Sequence, residues 1–485
     1  MENTGRVGTV GRTELFIDGC WEPGETGARF DVTDPSTGSI IASVADGTTR
    51  DAQRAVDAAD RAFRSWSGIT PRDRAELLRA CYDVMRRDAD DLAYLVALEN
   101  GKTLADARSE LAYAAEFFRW YGEEAVRNLG SVSVAPSGNN RILVQRQPIG
   151  VSVLVTPWNF PAAMATRKIA PALAAGATIV LKPASMTPLT ALALAELFSE
   201  AGLPAGVVNV VTSTDSAGVV SGMLHDPRVR MLSFTGSTEV GRALLKESAD
   251  QVLKCAMELG GNAPVIVLAD ADMEVAVEGT MIAKMRNTGQ ACTAANRIYA
   301  HESIHDEFVR TLAERMSALA VGAAIDPATQ CGPLINQTAV DKVGELVTDA
   351  RDNGARIVVG GSAVDRPGYF YLPTVLAEVP PDAAIVREEI FGPVAAVASF
   401  TDEEDVIRRA NATEYGLAAY VFSRDLSRAL HVSERLESGM VGINRGLVSD
   451  PAAPFGGVKQ SGLGREGATD GMSEFMETKY VAVDW

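Results

Sequence analysis

Cys292 lies in a run of small residues, Asn287-Thr-Gly-Gln-Ala-Cys-Thr293, that leaves a thiol accessible. A thiolate attacking a carbonyl needs a donor for the oxyanion and, if a thioester forms, a base for water. Asn159 offers a neutral amide and Glu258 a carboxylate, each just after an apolar run. Each also has a bland alternative: a lone cysteine is usually a small buried hydrophobe, as Cys20, Cys81, Cys255 and Cys331 are read here, and Asn in a turn or Glu before Gly-Gly is common. A second chemistry is suggested by Thr235-Gly-Ser-Thr-Glu-Val-Gly241. A strand, a Gly236-Ser237 turn and a helix opening at Thr238 or Glu239 present free N–H groups and a positive dipole end to a pyrophosphate. The spacing is G-x-x-x-x-G, and Arg242 stands where a Walker loop needs Lys, so an ordinary βα turn fits as well. Lys182 could reach a ribose or a 2′-phosphate, or snorkel at the surface. At Ser185 an acid would accept from a ribose 2′-hydroxyl and repel a 2′-phosphate; a serine donates to that phosphate instead.

The elements that must position these residues show in the rhythm of the chain. Short apolar runs at 150–155, 177–181, 207–211, 230–234 and 252–257 alternate with helical patterns at about 161–174, 187–201, 214–224 and 238–248. Five strands and four crossover helices predict a doubly wound parallel sheet, whose ligands sit beyond the carboxyl ends of the strands. Asn159, Lys182, Gly236 and Glu258 all follow such ends. A second α/β series has strand candidates Pro264–Leu268, Arg297–Ala300, Ala355–Val359, Ala395–Ser399, Ala418–Phe422 and Met440–Ile443. Asp51 to Asn128 reads as several helices. A hairpin, 131–135 and 141–146 around a Pro-Ser-Gly-Asn-Asn turn, and a last run at 479–483 are left over. The expected fold class is α/β: a parallel-sheet cofactor domain (12–130 and 148–257), a second α/β catalytic domain (258–448), and a small β oligomerisation element (131–147 and 466–485) whose unpaired strands would pair across subunits.

Composition bounds the partners. The 485 residues carry 45 Lys and Arg against 63 Asp and Glu, a net charge of -18, which repels nucleic acid and anionic membranes. Five scattered cysteines fit neither a disulfide framework nor a zinc cluster, so no metal is expected. Met1 to Phe16 lacks an apolar signal-peptide core. The longest apolar stretch, 169–181, is short of the ~20 residues a membrane helix needs. A cytoplasmic protein is expected.

Together, Pro157-Trp-Asn-Phe-Pro161, Lys182-Pro-Ala-Ser185, Phe234-Thr-Gly-Ser237, Glu258-Leu-Gly-Gly261, Gly289-Gln-Ala-Cys292, Glu389-Ile-Phe-Gly-Pro393 and Pro454-Phe-Gly-Gly457 closely resemble the aldehyde dehydrogenase superfamily, from about residue 14 onward. The resemblance implies Cys292 as nucleophile, the Asn159 amide and the Cys292 N–H as oxyanion hole, and Glu258 as base for thioester hydrolysis. It maps the adenine ribose and its phosphate to Lys182 and Ser185, the pyrophosphate to Gly236 and Ser237, and the nicotinamide ribose to Glu389. Phe391, Leu259, Thr156 and Trp158 would wall the nicotinamide. Relatives preferring NAD commonly have Glu at the position of Ser185, so NADP is the expected cofactor, with NAD possible. Ala165-Thr-Arg-Lys168, Arg286-Asn-Thr-Gly289 and Gly442-Ile-Asn-Arg-Gly-Leu-Val-Ser449 are most similar to succinate-semialdehyde dehydrogenases, which implies that Arg167, Arg286 and Ser449 bind a distal carboxylate. From the residues alone, Arg286 could merely complement a helix dipole and Arg167 with Lys168 could be a solvated pair. Ala294 replaces the second cysteine with which some relatives close a regulatory disulfide. Arg445 is an extra cation, so glutarate or 2-oxoglutarate semialdehyde is the runner-up substrate, with a broader aliphatic aldehyde behind it. Acyl transfer to CoA and non-catalytic reuse of the scaffold are the rival readings, and Glu258 with Cys292 and Asn159 argues against both. A homodimer or homotetramer is implied.

Overall fold

The computed structural model describes residues 11–484. Residues 1–10, most of the segment examined for a signal peptide, and Trp485 lie outside the described residues. The chain opens with two antiparallel hairpins, β1 (Leu15–Ile17) with β2 (Cys20–Glu22) and β3 (Arg29–Thr33) with β4 (Ile40–Ala45). The three-residue β1 and β2 give too few alternations to be legible in the sequence, and β4, Ile-Ile-Ala-Ser-Val-Ala, does not alternate. Four helices follow, α1 (Thr49–Trp66), α2 (Pro71–Arg87), α3 (Ala89–Asn100) and α4 (Leu104–Glu124). Thr48, Thr70 and Thr103 cap the first, second and fourth, each accepting an N–H from the acidic residue three positions on.

After the hairpin β5 (Ser131–Val134) and β6 (Arg141–Pro148) comes the expected alternation. It runs β7 (Val151–Val155), α5 (Pro161–Ala175), β8 (Thr178–Lys182), α6 (Leu189–Glu200), β9 (Val208–Val210), α7 (Ser216–Leu224), β10 (Val229–Thr235), α8 (Thr238–Ser248) and β11 (Lys254–Glu258). The five strands pair in parallel in the order β9-β8-β7-β10-β11, and β1 adds antiparallel to β9. Every residue of α5 is buried, so the longest apolar stretch is a core helix, stopped by Gly176, and the strand after it. Among the described residues no helix is long and apolar enough to cross a membrane.

The second series holds β12 (Ala263–Val267), α9 (Met273–Met285), β13 (Ala295–His301), α10 (Glu302–Ser317), α11 (Gln337–Asp352), β14 (Arg356–Val359), β15 (Thr374–Ala377), β16 (Val394–Phe400), β17 (Tyr415–Gly416), β18 (Ala418–Phe422) and β19 (Met440–Ile443). Its seven-stranded sheet runs β14-β15-β16-β13-β12-β18-β19, antiparallel only at β14. The added strand is β15, four residues too short to stand out.

The glycine-rich tail returns to the first sheet. β20 (Val458–Lys459) pairs with β17, and β21 (Gly462–Leu463) lies antiparallel on β11. The last strand, β22 (Met476–Val483), pairs with β6 along its whole length, while β5 takes the other edge of β6. This corrects the expectation that these strands stay unpaired within the chain. A long β6 has two edges, and the fold fills both.

Candidate active site

Parallel register brings the chemistry to one level. Val155 lies opposite Lys182 and Phe234, and Thr235 lies opposite Glu258, so four strands end together. Beyond them a cavity of about 640 Å³ opens. Thr156, Trp158, Asn159, Lys182 and Ser185 line it from β7 and β8; Gly236, Ser237 and Leu259 follow β10 and β11. Arg167 projects from α5, while Arg286, Cys292, Glu389, Phe391 and Ser449 come from the second series. All the sequence-derived candidates thus meet in one cavity except Glu258. A more open hollow of about 750 Å³ along α11 holds no thiol and no arginine.

The Cys292 loop is tied to the strand ends by close backbone approach. A Cβ on Gly261 would lie 2.2 Å from the Cys292 carbonyl oxygen, so only glycine permits this contact. Burial pushes the Cys292 thiol up to about 12, which the nearby Arg167 offsets only in part. Burial thus favours the protonated thiol over the thiolate. Asn159 donates one Nδ2 hydrogen to the Gln290 carbonyl at 3.0 Å. An amide carries two donors, so the second is open to a substrate oxygen.

Glu258 sits behind the wall. It is 3% exposed, and among the described residues neither carboxylate oxygen has a hydrogen-bond partner. A Cβ on Gly456 would come within 2.9 Å of its Oε1, so the glycine leaves the carboxylate room. Burial first, and the charge of Glu466 second, hold Glu258 well above the usual carboxylate range. Glu466 forms ion pairs with both Arg167 and Lys168, and Lys168 also donates to Ser233 Oγ at 3.0 Å. No sequence signal marks Glu466, which lies among the glycines of the tail.

The two arginines differ. Arg167 and Lys168 are 1% and 0% exposed, which removes the solvated-pair alternative. Arg167 stacks on Phe455 at 4.3 Å and is paired with Glu466, but its Nη2 is buried without a partner. Arg286 caps the C-terminus of α9 and also reaches the cavity, 4.6 Å over the Phe160 ring. Among the described residues no carboxylate lies within ion-pair distance of it. Tyr113 and Phe455 complete this end of the cavity and carry no local signal as site residues; the Tyr113 hydroxyl is unpartnered.

At the other end Lys182 is 3% exposed and bonds Ser216 Oγ, so it does not snorkel. Burial pulls it down to about 8, against the opposing pull of Asp46 and Asp215. A buried ammonium with no carboxylate in ion-pair distance among the described residues fits an anionic ligand group. Ser237 caps α8 through the Val240 N–H, and a Cβ on Gly236 would strike the Phe234 ring at 2.4 Å. Glu389 accepts the Gly261 N–H at 3.3 Å and is raised by burial to about 7. Phe391 meets Trp158 edge-on at 5.5 Å. Of the cysteines read as buried, Cys81 and Cys331 are; Cys20 is exposed at the start of the edge strand β2, and Cys255 is half-buried.

Residues 21–481 match the model of the aldehyde dehydrogenase family. The chain is 55% identical to a succinate-semialdehyde dehydrogenase of Paenarthrobacter nicotinovorans over 92% of this chain and 99% of that one. It is 49% identical to the NADP(+) succinate-semialdehyde dehydrogenase GabD of Escherichia coli K12 and to a glutarate-semialdehyde dehydrogenase of Pseudomonas aeruginosa, each over 97% of this chain and 98% of the relative. The crystal structure of a Burkholderia pseudomallei succinate-semialdehyde dehydrogenase superposes with a TM-score of 0.97 at 46% identity, covering 99% of this chain and all of that one. With the Cys292 thiol, the Asn159 amide and the buried Lys182 ammonium meeting at the strand ends, and with this likeness along nearly its full length, the chain belongs to the aldehyde dehydrogenase family.

Proposed function

We propose that the protein oxidises succinic semialdehyde to succinate with NADP. The observation that carries the substrate is Arg286: a guanidinium without an ion-pair partner faces the same cavity as the Cys292 thiol, with Ser449 beside the cavity and Arg167 Nη2 free. That end suits a distal carboxylate, and the thiol end suits the aldehyde. Glu258, raised in pKa and close enough to couple electrostatically to Cys292, takes the thiol proton. The sulfur adds to the aldehyde carbon, and Asn159 Nδ2 with the Cys292 N–H stabilises the oxyanion. NADP, when bound, supplies the hydride acceptor that turns this thiohemiacetal into a thioester. Once that first proton has passed to solvent, Glu258 removes a proton from water, which attacks the thioester; the proton then goes to the departing sulfur, freeing succinate and the thiol. Thr156, Trp158, Leu259 and Phe391 exclude water from the nicotinamide end, and Glu389 orients its ribose.

Lys182 and Ser185 bind the 2′-phosphate, with Gly236 and Ser237 at the pyrophosphate. Ser185→Glu places a carboxylate against that phosphate. It is expected to lower kcat/KM with NADP by ~10- to 100-fold and to leave NAD unchanged or improved. Parallel losses with both cofactors would remove Ser185 from the phosphate site.

Arg286→Ala is expected to raise KM for succinic semialdehyde by ~10- to 100-fold, the worth of a charge-assisted bond. KM for butanal should move less than about threefold, since a neutral chain has nothing to give the guanidinium. Equal losses for both would refute the carboxylate role. A series of C4 to C6 semialdehydes separates the succinic substrate from glutarate and 2-oxoglutarate semialdehyde.

The division of labour follows the sheets: 12–130 with 148–257 binds cofactor, 258–448 carries the nucleophile, and 131–147 with 466–485 joins subunits into a homodimer or homotetramer. Val132, Val134 and Tyr480 remain exposed on that three-stranded sheet, as an oligomer contact requires. The location in this reading is cytoplasmic.

A further inference from the structure

Beneath Asn159 lies a charged pair that the reaction does not itself use. Lys102 and Glu110 are both 0% exposed, with Nζ and Oε2 2.5 Å apart. Replacing a buried ion pair with apolar residues is often neutral or stabilising, so packing alone does not account for it. Its remaining bonds all lead to the site. Lys102 Nζ donates to the Asn159 carbonyl at 2.7 Å and lies 3.8 Å from the Phe160 ring centre. Glu110 Oε1 accepts the N–H groups of Ala162 and Ala163, at 2.9 and 3.1 Å, which fixes the first turn of α5 directly after Asn159. One turn along the same face of α4, Asp106 accepts the Asn287 N–H at 3.1 Å.

Asn287 closes the connection to the nucleophile. Its Nδ2 donates to the Asn159 carbonyl at 2.8 Å and to the Gln290 carbonyl at 3.2 Å. Asn287 and Thr288 stand at φ of 50° and 56°, left-handed conformations that non-glycine residues hold only when their surroundings impose them. Lys102, Asp106 and Glu110, at i, i+4 and i+8, therefore grip the oxyanion donor from one side and the nucleophile loop from the other.

We propose that Lys102, Asp106 and Glu110 are positioning residues that set the distance between the Asn159 amide and Cys292, with Lys102 acting through Asn159. This rests on the oxyanion role given to Asn159 above. The test is a double-mutant cycle on the full-length enzyme, reading the single-turnover rate of NADPH formation at saturating succinic semialdehyde and NADP. Lys102→Met is expected to slow that step by ~10- to 100-fold, as a displaced donor does. KM for the semialdehyde and the affinity for NADP should stay within about threefold. In an Asn159→Ala background, adding Lys102→Met should cost less than about threefold more, because the group it positions is gone. A full multiplicative loss in that background would overturn the proposal while leaving the oxyanion role intact. If Asn159→Ala itself left the rate unchanged, the oxyanion role would be what fails. Glu110→Gln keeps the Oε1 acceptor for Ala162 and Ala163 while loosening Lys102. It gives the same cycle if Lys102→Met does not fold, with the same two outcomes.

Discussion

Cys292→Ala is expected to lower turnover of succinic semialdehyde by at least ~10⁴-fold, about 5.5 kcal/mol of barrier, while NADP binds as before. The covalent path needs a sulfur at this position, and the cavity offers no other thiol: Cys81 and Cys331 are buried elsewhere, and Cys20 and Cys255 lie outside its lining. The affinity should hold because the anion-binding end, with Lys182, Ser185 and the α8 N-terminus, is built by other strands. Fluorescence titration with NADPH checks that half of the expectation. Retention of a tenth of the activity by the variant would sink the covalent mechanism. A companion measurement follows from the thiol pushed up to about 12. Alkylation of the free enzyme by iodoacetamide should be slow at neutral pH and rise steadily through pH 9, where an unperturbed thiol would already be levelling off.

Glu258→Gln separates the two halves of the reaction. With the base for water gone, steady-state turnover should fall by ~10²- to 10⁴-fold. Thiol activation slows in the same variant, but a thiol is intrinsically far more nucleophilic than water, so deacylation is hit harder and mass spectrometry of the quenched enzyme should find the acyl adduct on Cys292. A neutral amide of the same shape fits the room left by Gly456, so the loss cannot be put down to a collapsed pocket. The sign of the pH dependence also follows. Glu258 is held above the usual carboxylate range, so at ordinary carboxylate titration pH it is still protonated and idle. Deacylation in the parent enzyme should rise with pH through that raised value and become flat in the variant. Absence of acyl-enzyme in Glu258→Gln, with hydride transfer itself blocked, would assign Glu258 only to thiol activation.

Much of the site is legible because its chemistry is local. Each strand end carries its candidate residues within a few positions: Thr156 to Asn159, Lys182 to Ser185, Gly236 and Ser237, Glu258 and Leu259. Parallel pairing then levels those ends without further instruction. Strands of five to seven apolar residues between helices are equally plain. The misses are mostly two- to four-residue pieces, such as β1, β2, β15, β17, β20 and β21, where too few side chains alternate to show a period, together with the hairpin of β3 and β4, whose Ile-Ile-Ala-Ser-Val-Ala strand does not alternate.

Residue types and their order thus determined the α/β class, the position of the parallel sheet, and which thiol, amide and acid are the candidates. Tertiary structure alone decided how the charges are shared. Lys168 and Glu466 are 298 residues apart in sequence yet form an ion pair, and Arg167 is drawn into the same cluster while Arg286 is not. It also decided that Glu258 waits behind the cavity wall and that β22 completes β6. The physical reason is the same throughout: local sequence specifies backbone conformation and chemistry, whereas pairing and burial depend on which distant segment fills the space alongside.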